Sequence, residues 1–158
     1  MSSAVIAGGR TSGRSFFSSM ALMMLAFALI GFAPSFYLRG LVHYPRPNPS
    51  LNPLIVLHGL LFTLWLLVFW TQARLIGAGR RDLHMKLGIA GMLLAAVLIP
   101  LMYLTAVGGV ARASAPPFTT PLAWTAVPLA CLAAYIPLLW LGWKHRRNAA
   151  AHKRLMLC

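Results

Sequence analysis

LIVLHGLLFTLWLLVFWTQARL, residues 54–75, is a run of 22 residues in which the polar side chains are few and regularly placed. Crossing a hydrocarbon core of about 30 Å takes about 20 helical residues, so the run is long enough to span. His58, Trp65 and Gln72 recur every seven residues, with Phe62 and Phe69 between them. At about 100° per residue the five lie within about 40° of one line on a helix, so they form a single stripe. A histidine and a glutamine are costly against lipid. The stripe is therefore expected to face other helices or a cofactor such as a haem, a quinone or a pigment. As a packing seam, it would have His58 hydrogen-bonded to a neighbouring helix and Gln72 at the inner interface.

Working outward, three more apolar runs of spanning length flank this one, at residues 16–38, 87–107 and 121–143. None shows the alternation of a barrel strand, and lipid tolerates no unpaired backbone, so all four are expected to be helices. The expected fold is all-α: one transmembrane domain over residues 1–158, a polytopic bundle of four spanning helices with a short C-terminal amphipathic segment. Composition agrees, with 59% hydrophobic and 9% charged residues in 158. A soluble domain carries about 25% charged residues. The first run continues past Ala28 through Leu29, Ile30 and Phe32, too long for a signal-peptide core, so an uncleaved helix is expected, kinked at Gly31 and Pro34.

Fourteen Lys and Arg face one acid, Asp82, and there is no Glu. Chemistry that needs paired carboxylates or a carboxylate cage has no residues to use. No GxSxG is present and no second acid is available to orient a histidine, so no catalytic constellation, and no metal-ligand cluster, is read. Cys131 and Cys158 form no CxxC pair. The net charge of +13 sits in short stretches between apolar runs, which points to anionic headgroups rather than nucleic acid. On alternating sides of the four helices the Lys and Arg divide 11 to 3, which predicts both termini on the cytoplasmic side. Arg80, Arg81, Lys86, Arg146 and Arg147 lie on the heavily basic side and are expected to meet anionic lipid, or acidic residues of another membrane subunit.

The proline-rich stretch from His43 to Pro53 is expected to be a stiff spacer. Asp82 is expected to cap the third helix, and Gly88, Gly91 and Ala95 to let that helix pack closely. Trp124, Trp140 and Trp143 read as interfacial anchors of the fourth helix. His58 and His84 begin consecutive antiparallel helices, so they lie near opposite surfaces and do not share a cofactor. His84 and His152 both fall at the cytoplasmic starts of segments, and are the pair matched in depth as axial ligands of a haem b.

His58-Gly59 with Trp65 and Gln72, then Arg81-Asp82-Leu83-His84-Met85-Lys86-Leu87-Gly88, then His152-Lys153-Arg154-Leu155-Met156-Leu157, resemble a family of uncharacterised bacterial multi-pass inner-membrane proteins. The resemblance runs from about Leu51 onward and implies a bacterial inner-membrane location. Histidines at helix ends give a looser likeness to transmembrane b-type cytochromes. In the family, the segment at His152 opens a further spanning helix, whereas this sequence stops at Cys158. The expectation is a C-terminally truncated bundle, or one completed by another subunit. Two functions follow: a non-enzymatic accessory or scaffold subunit of a larger membrane assembly, or a cofactor-binding redox protein using His58, Trp65 and Gln72 or the pair His84 and His152.

Overall fold

The computed structural model describes residues 3–43 and 51–157, with side chains from residue 16 onward. Helix α1 covers Ser3–Phe32, α2 Pro53–Gly77, α3 Arg81–Ala111, α4 Pro121–Trp124, α5 Ala126–Lys144 and α6 Ala149–Leu155. Among the described residues there is no strand. Four segments are long and apolar enough to cross a membrane: Phe16–Tyr37, Pro53–Gly77, Arg81–Ala111 and Pro121–Lys144. The architecture is the expected all-α bundle.

Its helix ends follow from capping chemistry. Asn52 accepts from the Ile55 amide at 2.9 Å and Pro53 follows at the first helical position, where its missing N–H costs nothing. Thr120 with Pro121 repeats the device at α4, and the Asn148 side chain accepts from Ala150 and Ala151 to start α6. Pro34 lacks the amide that an α-turn needs, and α1 widens there into a π-helix over Ala33–Tyr37, with the Leu38 amide reaching the Ala33 carbonyl at 2.7 Å. This is the expected Pro34 distortion. Between α2 and α3 only Ala78, Gly79 and Arg80 intervene, and Gly79 takes φ +75°, which lets the Arg80 amide turn back to the Leu75 carbonyl.

Three expectations are corrected. The third helix begins at Arg81 and ends at Ala111, well beyond residues 87–107, because its polar first turn is helical without being apolar. Asp82 does not cap it: the N-cap is Arg80, no side chain bonds the free amides, and Asp82 sits inside the first turn on the exposed Arg80 guanidinium at 3.5 Å. A carboxylate there still complements the helix dipole. The fourth run is divided at Thr125 into α4 and α5. Most of the proline-rich spacer, residues 44–50, lies outside the described residues.

Packing runs in chain order: α1 on α2, α2 on α3, α3 on α5, and α6 folded back on α5. The small residues of α3 set the α2 contact. Ala95 is fully buried, and a Cβ at Gly91 would stand 3.0 Å from Val68 Cγ1. Close approach of this kind is how helices associate in lipid. Ala21, Leu25, Leu66, Leu98, Ala106 and Leu132 complete the buried apolar set, while Phe27, Ile30 and Leu93 are among many large apolar side chains left on the outside. That distribution suits a bundle whose solvent is hydrocarbon.

One end of the bundle is basic. It holds Arg74, Arg80, Arg81, Lys86, Lys144, Arg146 and Arg147 at the ends of α2, α3 and α5, together with α6. Lys144 lies over Trp140 at 4.7 Å and Arg146 over Trp143 at 4.4 Å, so the tryptophans hold cations at that rim.

Candidate functional site

At the basic end His84, one turn into α3, meets His152 of α6, with ring centroids 6.3 Å apart and planes at 78°. What brings His152 there is the end of α5. The last carbonyls of a helix have no amide partner within it. Gly142 lies in that last turn, and its carbonyl oxygen is 2.8 Å from His152 Nδ1. A carbonyl only accepts, so Nδ1 donates to it, and in the neutral imidazole Nε2 is then the acceptor. Gly142 also makes room for α6, since a Cβ there would lie 2.7 Å from Met156 Sδ. Lys153, next along α6, stands over the Phe17 ring of α1 at 5.0 Å.

Two further polar atoms converge on this end without partners among the described residues: His84 Nδ1 and Gln72 Oε1, both buried. Gln72 is the inner end of the α2 stripe, and its Nε2 would lie 3.2 Å from a Cβ at Gly88. The glycine on α3 gives the amide its place. Gln72, His84 and His152 thus occupy one region.

The rest of the stripe forms a continuous aromatic ladder. His58 stacks on Phe62 at 5.8 Å, Phe62 meets Trp65 at 6.0 Å, and Trp65 stacks on Phe69 at 5.6 Å. Trp65 also receives Tyr135 of α5 edge-on at 5.9 Å, and the Tyr135 hydroxyl donates to the Ala95 carbonyl at 3.3 Å. The stripe therefore faces α3 and α5, as its polarity demanded. Tyr135 was not foreseen as its partner. The available signal was depth, because residues 65 and 135 both lie midway along their helices.

His58 is separate from the histidine pair. It stands at the opposite end, where it lines a cavity of about 180 Å³. Its ring stacks on Phe62 one turn along the same helix, and its Nδ1 is buried without a partner among the described residues. The five cations expected to meet lipid, Arg80, Arg81, Lys86, Arg146 and Arg147, are all exposed. Arg80 is engaged by Asp82, and Arg146 donates to the Trp143 carbonyl at 3.0 Å. Cys131 is exposed on α5 as a free thiol.

Chemically, the pair offers two imidazoles on different helices. Among the described residues no group of three or more His, Cys, Asp or Glu comes together. A bare zinc site takes four ligands, three of them from protein even when it is catalytic. Two imidazoles suit a metal that brings its own in-plane donors, as an iron porphyrin does.

Compared with known proteins, the chain matches no family model, no curated protein and no solved structure.

Proposed function

We propose that this chain is a haem-binding integral membrane protein, with His84 and His152 as the axial ligands at its basic end. The observation that carries the reading is the pair itself: two rings 6.3 Å apart, one with its Nδ1 already committed to the Gly142 carbonyl. Histidine ligands of metals generally donate their second ring N–H to a carbonyl or carboxylate, which fixes the tautomer and the ring direction. His152 has that arrangement. Gln72, whose Oε1 has no partner among the described residues, would position His84 or contact the edge of the group. Bound there, a haem would supply one-electron chemistry.

Charge supports the same end. Haem carries two propionates, and the rim provides Arg80, Arg81, Lys86, Arg146 and Arg147 against one carboxylate, Asp82. Buried anions need such pairing. Cations not used in this way would face anionic lipid headgroups, at about 1 kcal/mol each. The setting we propose is a bacterial inner membrane with both termini cytoplasmic, which puts the basic end on the inner side as the 11 to 3 division requires. The resemblance to uncharacterised inner-membrane proteins agrees with that setting. A purely accessory subunit would share this topology and bind no cofactor.

Titration of haemin into the purified, detergent-solubilised chain separates the two. Binding at one haem per chain, with a Soret band shifted from that of free haemin, supports the proposal, and His84→Ala and His152→Ala should each abolish the shifted band. A spectrum unchanged by either substitution, or no band at all, refutes it and leaves the accessory reading.

A further inference from the structure

At the end of the bundle opposite the histidine pair, α2, α3 and the α4–α5 region enclose the cavity of about 180 Å³ already noted at His58. Its lining includes the apolar Ile55, Trp124 and Pro128 and the polar His58, Arg112 and Ser114. Arg112 follows the last residue of α3 and is partly buried. Its Nη2 donates to the Thr105 carbonyl at 3.2 Å, seven residues back along the same helix, which folds the guanidinium down against the helix end and into the cavity wall.

The decisive fact about this cation is the lack of an anion. The sequence contains one acidic side chain, Asp82, and it is spent on Arg80 at the far end of the bundle. No Asp or Glu of this chain neutralises Arg112. A guanidinium has five N–H donors, and the Thr105 carbonyl takes one of them. Beside it in the lining stands the His58 ring, whose Nδ1 is buried without a partner among the described residues. Both Thr105 and Thr125 turn their hydroxyls to backbone carbonyls of their own helices, at 2.8 Å, so these side chains do not compete for a ligand. A charged group held partly out of water favours a counter-ion in contact with it.

We propose that this cavity binds an oxyanion, with Arg112 supplying the charge and a fork of donors and the His58 ring beside it. Arg is suited to the part because its planar fork matches phosphate geometry and it does not lose its proton. The lining also includes Ile55 and Trp124, so the same oxyanion can arrive as the headgroup of a phospholipid with its chains along these side chains, or as free phosphate from the aqueous side. The site is independent of the histidine pair, and of any cofactor bound there.

The test uses the full chain in a non-ionic detergent, followed by native mass spectrometry with phosphatidylglycerol or phosphatidylcholine, and with inorganic phosphate as competitor. The wild type should retain one phosphatidylglycerol in preference to phosphatidylcholine. Arg112→Gln should lower that retention about tenfold, Arg112→Lys, which keeps the charge but loses the planar fork, should lower it by less, and Arg74→Gln, at the other end, should leave it unchanged. Displacement of the lipid by millimolar phosphate, through an Arg112-dependent site, identifies the free ion as an accepted form; failure to displace identifies the lipid headgroup. Equal retention of the two lipids by the wild type, with no Arg112-dependent binding of phosphate, overturns the proposal. So does Arg112→Gln binding as the wild type does. Should Arg112→Gln fail to fold, Arg112→Lys decides the matter: retention lowered there supports the site, and retention equal to the wild type overturns it.

Discussion

Replacing Gly59 by Ala tests how α1 is seated on α2. The π-helix at the end of α1 lays the Phe36 ring directly over Gly59, so that a Cβ there would stand 2.5 Å from Phe36 Cζ and 2.7 Å from Cε2. The ring has little freedom to retreat, because its neighbour Tyr37 is hydrogen-bonded through its hydroxyl to Thr63, and the Thr63 hydroxyl is itself within bonding distance of the Gly59 carbonyl at 2.7 Å. Forcing a methyl into a packed contact costs about 1–3 kcal/mol. Ala is favoured over Gly inside a helix by about 1 kcal/mol, which offsets part of that. The single substitution should therefore destabilise by about 1 kcal/mol. In a Phe36→Ala background the clash is gone and the same change should stabilise by about 1 kcal/mol, giving a coupling of about 2 kcal/mol between the two positions. Unfolding of the four proteins of this cycle, in one detergent and at one protein concentration, measures it. If Gly59→Ala shifts stability equally with and without the Phe36 ring, the ring does not sit over Gly59 and the α1–α2 register described here is wrong.

Other expectations concern the interior and the topology. Tyr135→Phe keeps the ring on Trp65 but loses the hydrogen bond to the Ala95 carbonyl, and should cost about 1 kcal/mol in thermal unfolding. Gln72→Leu removes a buried acceptor that has no partner among the described residues, so the cofactor-free chain should be stabilised by about 1 kcal/mol while haemin binding weakens; a large destabilisation would mean the amide is satisfied. Reporter fusions after Leu38, Gly77, Phe118 and Lys144 should read outside, inside, outside and inside, and an outside reading at Gly77 would reverse the orientation proposed for the basic end.

Hydropathy made the four spanning segments legible, and the seven-residue recurrence of His58, Trp65 and Gln72 identified the face of α2 that turns to α3 and α5. Hydropathy reports contact with lipid, however, and not helicity, so it missed the polar first turn Arg81–Lys86 and placed the start of α3 too late. The same polar turn misled the reading of Asp82. Its residue type suits a cap, but the backbone puts Arg80 in the capping position and Asp82 past it. Depth along the helices correctly matched His84 with His152 and kept His58 apart. Their actual contact needed knowledge that α6 folds back on α5, which depends on Gly142 lacking a side chain where Met156 presses and offering its carbonyl to His152. Arg112 entered the sequence reading only as one of three cations on the lightly basic side. Its significance comes from a cavity assembled by three separate segments, which no local pattern encodes.

The most direct test of the central proposal is the electron paramagnetic resonance spectrum of the ferric haem complex. Two axial imidazoles with their planes near the observed 78° should give a low-spin signal of the strongly anisotropic type seen for perpendicular ligand planes. His84→Ala and His152→Ala should each convert it to a high-spin signal or abolish binding. A high-spin spectrum from the wild type, or a low-spin one that survives both substitutions, would contradict ligation by this pair.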